Sequence, residues 1–101
     1  MKTTLIATAL SSLAVLASAQ AYFEVAITFT GADGAYYNQH FPTDDNSHPI
    51  TNSMVVYNIS SAGGGFCTFG GVNGTDVVVF GPETVAVDPP QAMSWGDCQT
   101  D

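Results

Sequence analysis

The sequence predicts an all-β fold: a small antiparallel two-sheet sandwich of Ig-like or Greek-key type, with about six or seven short strands and one disulfide. Three observations carry that expectation. Short runs rich in Val, Ile, Phe, Tyr and Thr alternate apolar and polar residues with a period of two. Glycine and proline clusters punctuate those runs, and no long stretch beyond the N-terminus shows helical periodicity. Cys67 and Cys98 form an even pair in a chain of 101 residues, the pattern of a stapled small domain.

The elements follow in order. "AYFEVAITFT" places Phe23, Val25, Ile27 and Phe29 on one face, and Tyr22, Glu24, Ala26, Thr28 and Thr30 on the other. "GADG" (31–34) is a turn, and "AYYNQHF" returns as a second strand with Tyr37, Gln39 and Phe41 opposite Tyr36, Asn38 and His40. The pair reads as a hairpin. "PTDDNSHPITNS" (42–53) reads as a loop, bracketed by Pro42 and Pro49. "MVVYNIS" is a third strand, with Val55, Tyr57 and Ile59 alternating against Met54, Val56 and Asn58.

The stretch Ser61–Asp76, "SAGGGFCTFGGVNGTD", holds six glycines in sixteen residues. They close two tight turns around the short strand "FCTFG", which carries Phe66 and Thr68 on one side and Cys67 and Phe69 on the other. Asn73-Gly74 suits the positive φ angles of a type I′ hairpin. "TDVVVFG" loses its alternation, since Val77 to Phe80 are all apolar. Such a run reads as a central strand covered on both faces. "ETVAV" is a further strand, "DPP" turns the chain, and "QAMSWGDC" runs to the second cysteine. A disulfide there ties down a last strand that would otherwise fray. No repeat, linker or second domain is visible.

The N-terminus reads as a secretory signal. Lys2 is the positive end, Leu5 to Leu16 is apolar or small, and Ala17-Ser18-Ala19 precedes a cleavage site before Gln20. The run is shorter than a membrane span and has no basic stop-transfer segment after it. Residues 1–19 are therefore expected to be a leader and 20–101 a single secreted domain, with no membrane insertion. In an oxidising compartment Cys67 and Cys98 pair with each other if the protein is a monomer. A catalytic thiol is the minor alternative, because no Cys-His signature accompanies either cysteine.

Charge narrows the partners. The formal net charge is -8, and Lys2 is the only Lys or Arg. The mature chain then has no strong base, so nucleic acid and anionic lipid are poor partner candidates, since affinity for both rests largely on Lys and Arg. A cationic partner, a neutral glycan or a divalent cation remains, and an extracellular protein or cell-wall glycan is the expected partner. The acidity also serves plain solubility.

The motifs are few. Asn58-Ile59-Ser60 and Asn73-Gly74-Thr75 are N-glycosylation sequons, and Asn73 sits at the expected turn tip. His40, Asp44, Asp45 and His48 gather on one short segment. They are candidate metal ligands, although without a known ligand spacing they read first as a solvated loop. Tyr22, Tyr36, Tyr57 and Trp95 are candidate outward aromatics able to stack on sugars, with core packing as the alternative for Trp95. No nucleophile elbow, zinc-protease helix, phosphate loop or dinucleotide fingerprint is present. No catalytic residue and no cofactor is expected, and the chain does not read as an enzyme.

The layout as a whole, a leader ending "ASAQA", then "VAITFTGADGAYYNQHFPTD", "GGGFCTFGGVNG" and "VDPPQAMSWGDC", resembles small secreted proteins of filamentous fungi, many of them candidate effectors. The resemblance implies extracellular release, a Cys67–Cys98 disulfide and a role at a host or cell-wall interface. Many such proteins carry four or more cysteines, against two here. The leading expectation is a non-enzymatic interaction protein. A carbohydrate-binding module using exposed Tyr and Trp is the alternative, and a small hydrolase or metal-dependent enzyme is a third.

Overall fold

A computed structural model describes residues 22–100; the expected leader lies outside them. The strands are β1 (Glu24–Thr30), β2 (Tyr36–Pro42), β3 (Asp44–Pro49), β4 (Val56–Ser61), β5 (Phe66–Gly71), β6 (Asp76–Phe80), β7 (Thr84–Gln91) and β8 (Met93–Gln99). They form two four-stranded sheets, in the orders β2-β1-β4-β7 and β3-β8-β5-β6. Every strand pairing is antiparallel. The expected sandwich is there, with eight strands among the described residues rather than six or seven.

The period-two pattern decides which side faces the core. Val25, Ile27 and Phe29 of β1 are buried, as are Cys67 and Phe69 of β5 and Val77 and Val79 of β6. Three phenylalanines from both sheets lock the centre. Phe29 meets Phe69 edge-on at 5.6 Å, and Phe41 meets Phe69 at 5.3 Å, the geometry ring quadrupoles prefer. Gly96 makes room for them, since a Cβ there would lie 2.5 Å from the Phe41 ring and 2.8 Å from that of Phe69.

The chain changes sheets five times, twice at single-residue corners. Thr43 joins β2 to β3, its N–H and hydroxyl both donating to the Phe23 carbonyl at 2.9 and 2.8 Å. Ala92 joins β7 to β8, and its carbonyl accepts from the Val72 N–H at 2.9 Å. Beside it the buried Gln91 is satisfied: its Oε1 accepts from the Asn73 N–H and its Nε2 donates to the Pro89 carbonyl, both at 2.9 Å.

Several local expectations are corrected. The segment read as a loop contains β3, which pairs with β8. Its polarity fits an exposed edge strand with a bulge: the register shifts between Asp44 and Ser47, Asp45 takes φ 58°, and Asp44 Oδ1 accepts from the Asn46 N–H. The type I′ geometry belongs to Asp33-Gly34, with φ 55° and 79°, not to Asn73-Gly74. There only Gly74 has positive φ, and three residues close the loop between Gly71 and Thr75. Val77–Phe80 is an edge strand and not a central one. Val56 and Ile59 of β4 are buried, while Tyr57 and, just before the strand, Val55 are exposed; the pairing with β7 shifts between Val56 and Asn58. "DPP" does not end a strand; β7 bulges through it, with a cis Asp88–Pro89 bond, and resumes pairing at Gln91.

The disulfide is Cys67–Cys98, joining directly opposed residues of β5 and β8 across a Cα–Cα distance of 4.1 Å. It lies within one sheet, unlike the inter-sheet bridge of antibody domains. Nor does it tether a fraying end, since β8 lies between β3 and β5.

Candidate functional site

The described residues enclose no pocket, so the candidate surfaces are the outer faces and the sheet edges. In register, directly opposed residues point to the same side. On the outer side of β3-β8-β5-β6, Phe66 therefore sits beside Phe80, Thr68 beside Val78 and Gly70 beside Asp76. Along β8 the same side carries Gln99, Asp97 and Trp95. Phe66 and Phe80 stack face to face at 4.5 Å with 12° between their planes. Phe80 is 60% exposed and Val78 40%. The result is a solvent-facing apolar strip on β5 and β6, flanked by Asp76 and Asp97.

Trp95 is half-buried, and its ring lies over Gly70, where a Cβ would collide with the indole. That answers part of the glycine richness: a bare backbone serves as the seat of a cross-strand aromatic. Gly64, at φ 100°, seats the Phe23 ring in the same way. Trp95 therefore lies outside the core between the sheets, half-buried against the Gly70 backbone on the outer side of the second sheet.

The other aromatics lie elsewhere. Tyr36 is 65% exposed on β2, opposite Thr30, and Tyr57 is exposed on β4, so both belong to the first sheet. They cannot form one platform with Trp95 across the sandwich. The middle of the outer side of the first sheet is instead an array of hydroxyls and amides, with Glu24 at the start of β1 on the same side. Thr28 Oγ1 donates to Asn38 Oδ1 at 2.8 Å, and the Ser60 and Thr84 hydroxyls bond at 2.6 Å. Tyr22 is exposed at the start of the described chain.

The expected metal set does not assemble. Asp44 and His48 bind each other, with Nε2 of His48 3.0 Å from both carboxylate oxygens. That hydrogen bond holds the Asp44 carboxyl below its ordinary range. His40 lies on the other sheet, opposite Ala26. Among the described residues no group of three or more His, Cys, Asp or Glu side chains is placed to hold an ion. Burial raises the Asp97 carboxyl, and the charges of Asp45 and Asp44 raise it further.

Of the sequons, Asn73 is exposed in the β5–β6 turn, while Asn58 is half-buried in β4. No helix among the described residues is long and apolar enough to cross a membrane.

The Phe66–Phe80 strip was not among the sequence candidates. Four consecutive apolar residues hide which two face out, and only the sheet order reveals it. No family model, curated protein or solved structure matches the chain.

Proposed function

We propose that this protein is secreted and acts without catalysis, by binding an extracellular protein through the outer side of β3-β8-β5-β6, in the manner of an effector at a host or cell-wall interface. The observation that supports this most is the stacked Phe66–Phe80 pair with Val78 beside it, facing solvent. A contiguous apolar strip on a small acidic domain is a surface awaiting cover. The acidic side chains flanking it favour a partner of basic character.

The test is capture from extracellular fluid on the immobilised protein, with partners identified by mass spectrometry. A Phe66→Ser/Phe80→Ser variant should lose its specific partner while a Tyr36→Ser variant retains it. Equal capture by all three proteins contradicts the reading.

A second reading rests on the first sheet. Its neutral rows of Asn38, Thr28, Ser60 and Thr84, with Tyr36 beside them, suit the hydroxyls of a cell-wall glycan. Retention on insoluble chitin or glucan that disappears with Tyr36→Ala but survives Trp95→Ala supports that module. No retention on either polymer removes it.

A further inference from the structure

The four sheet edges are not alike. β7 carries the cis Asp88–Pro89 bond and Pro90, and β3 carries a bulge and Pro49. Proline and bulges block strand addition. β2 runs straight into β3 through Thr43, and Gln39 Nε2 donates across to the Pro49 carbonyl at 3.3 Å. β6 has none of these devices. It reads Asp-Val-Val-Val-Phe, without proline, glycine or bulge, and pairs with β5 alone in unbroken register.

The hydrogen-bond phase shows what that edge offers. The Gly81 N–H donates to the Gly65 carbonyl and the Gly71 N–H to the Thr75 carbonyl. In an antiparallel ladder bonded pairs alternate, so Val77 and Val79 face β5. Asp76, Val78 and Phe80 therefore turn their N–H and C=O groups outward. The Phe80 N–H already meets Glu83 Oε2 at 3.4 Å, which confirms the phase. Two carboxylates thus stand at the ends of a short apolar edge, Asp76 at one and Glu83 at the other, about 13 Å apart along the strand.

We infer that the β6 edge receives an extended segment of another protein, apolar at its centre and carrying Lys or Arg at its ends, which adds as a fifth strand beside Asp76–Phe80. This deepens the proposed binding role and rests on it. Backbone bonds at Asp76 and Val78 hold the segment, and its side chains extend the Phe66–Phe80 and Thr68–Val78 rows. Charge selects against a second copy. Residues 22–100 contain no Lys or Arg. Two β6 strands paired about Val78 would set Asp76 of one against Phe80 of the other, where Glu83 sits.

The experiment uses two acetylated, amidated peptides, Lys-Val-Thr-Val-Thr-Val-Lys and Glu-Val-Thr-Val-Thr-Val-Glu. Binding is followed by fluorescence anisotropy and by amide exchange in NMR spectra of the protein. The lysine peptide should protect the Asp76 and Val78 amides and bind about tenfold or more tightly than the glutamate peptide. Val78→Pro should abolish binding, because it removes an outward N–H and no β5 bond. An Asp76→Lys/Glu83→Lys variant, which touches only exposed side chains, should reverse the peptide preference even if Val78→Pro does not fold. Absence of protection on β6, or a preference unmoved by charge reversal, overturns the inference. Concentration-dependent protection of β6 without peptide also overturns it, in favour of a second copy. If Phe66→Ser/Phe80→Ser still abolishes partner capture while the peptides fail, the binding face stands and strand addition falls.

Discussion

At the scale of single residues, two side chains sit in environments that substitution should relieve. The Tyr37 ring stacks on Phe29 at 4.7 Å, but its buried hydroxyl has no hydrogen-bond partner. Removing an unsatisfied polar atom while keeping the ring should be neutral or stabilising by about 1 kcal/mol, so Tyr37→Phe should keep or raise the thermal midpoint. Burial pushes the Tyr37 phenol up to about 12, from an ordinary 10.0. The unfolded chain then ionises first. Stability should be intact below pH 10 and fall as pH rises from there towards 12, a loss that Tyr37→Phe removes. Asp97 presents the opposite side of the same argument. Burial and the charges of Asp45 and Asp44 raise its carboxyl, so its ionised form disfavours the fold at neutral pH. Asp97→Asn should raise the melting temperature at pH 7. The gain should shrink as pH falls through the raised Asp97 range and vanish below the ordinary carboxylate range, where the folded and unfolded chains both hold the proton. Melting curves at pH 7 and pH 3 check both halves. Neither environment is visible in the sequence: Tyr37 and Asp97 follow their strand alternation, but the missing partner and the crowded carboxylates come from register between strands far apart in the chain.

At the scale of elements, the alternation was enough to locate β1, β2 and β5 and to separate their two faces. It failed for β3 and β6, for related reasons. An edge strand exposed on one face needs few apolar residues, so the Asp-Asp-Asn-Ser run of β3 reads as a loop. An edge strand that carries apolar residues on its solvent side as well as its inner side reads as a buried centre, as β6 does. The candidate site was illegible for that reason, since Phe80 and Val78 look like core until the order β3-β8-β5-β6 is known. The same order gives a contrast between neighbouring positions. Val77→Pro breaks a bond to β5 and empties a buried site, and should cost about 3 kcal/mol or more. Glycines tell a similar story. Gly70→Ala drives a methyl group into the Trp95 indole, and overpacking of that kind costs about 1–3 kcal/mol. Tryptophan fluorescence should shift to the red as the ring is displaced towards water.

For the whole molecule, one covalent bond fastens β5 to β8 within the second sheet, and one aromatic centre packs the two sheets together. The Cys67–Cys98 bridge closes a sequence separation of 31 residues and should contribute about 3–4 kcal/mol by restricting the unfolded chain. Cys67→Ser/Cys98→Ser should lower stability by about that amount in denaturant titration. The cysteine pair and the sandwich class were readable because each depends on composition and local period. The sheet order was not, because it depends on pairings such as β1 with β4 and β5 with β8 that no short window contains. The open side of the body, and with it the proposed binding role, depends on β6 being an edge. Backbone amide exchange along β6 tests that most directly. Val77 and Val79 should exchange slowly, Asp76 and Val78 rapidly, and Phe80 between them because of Glu83. Uniform slow exchange from Asp76 to Phe80 in the dilute, unliganded protein would mean a neighbour on both sides of the strand, and would contradict the account.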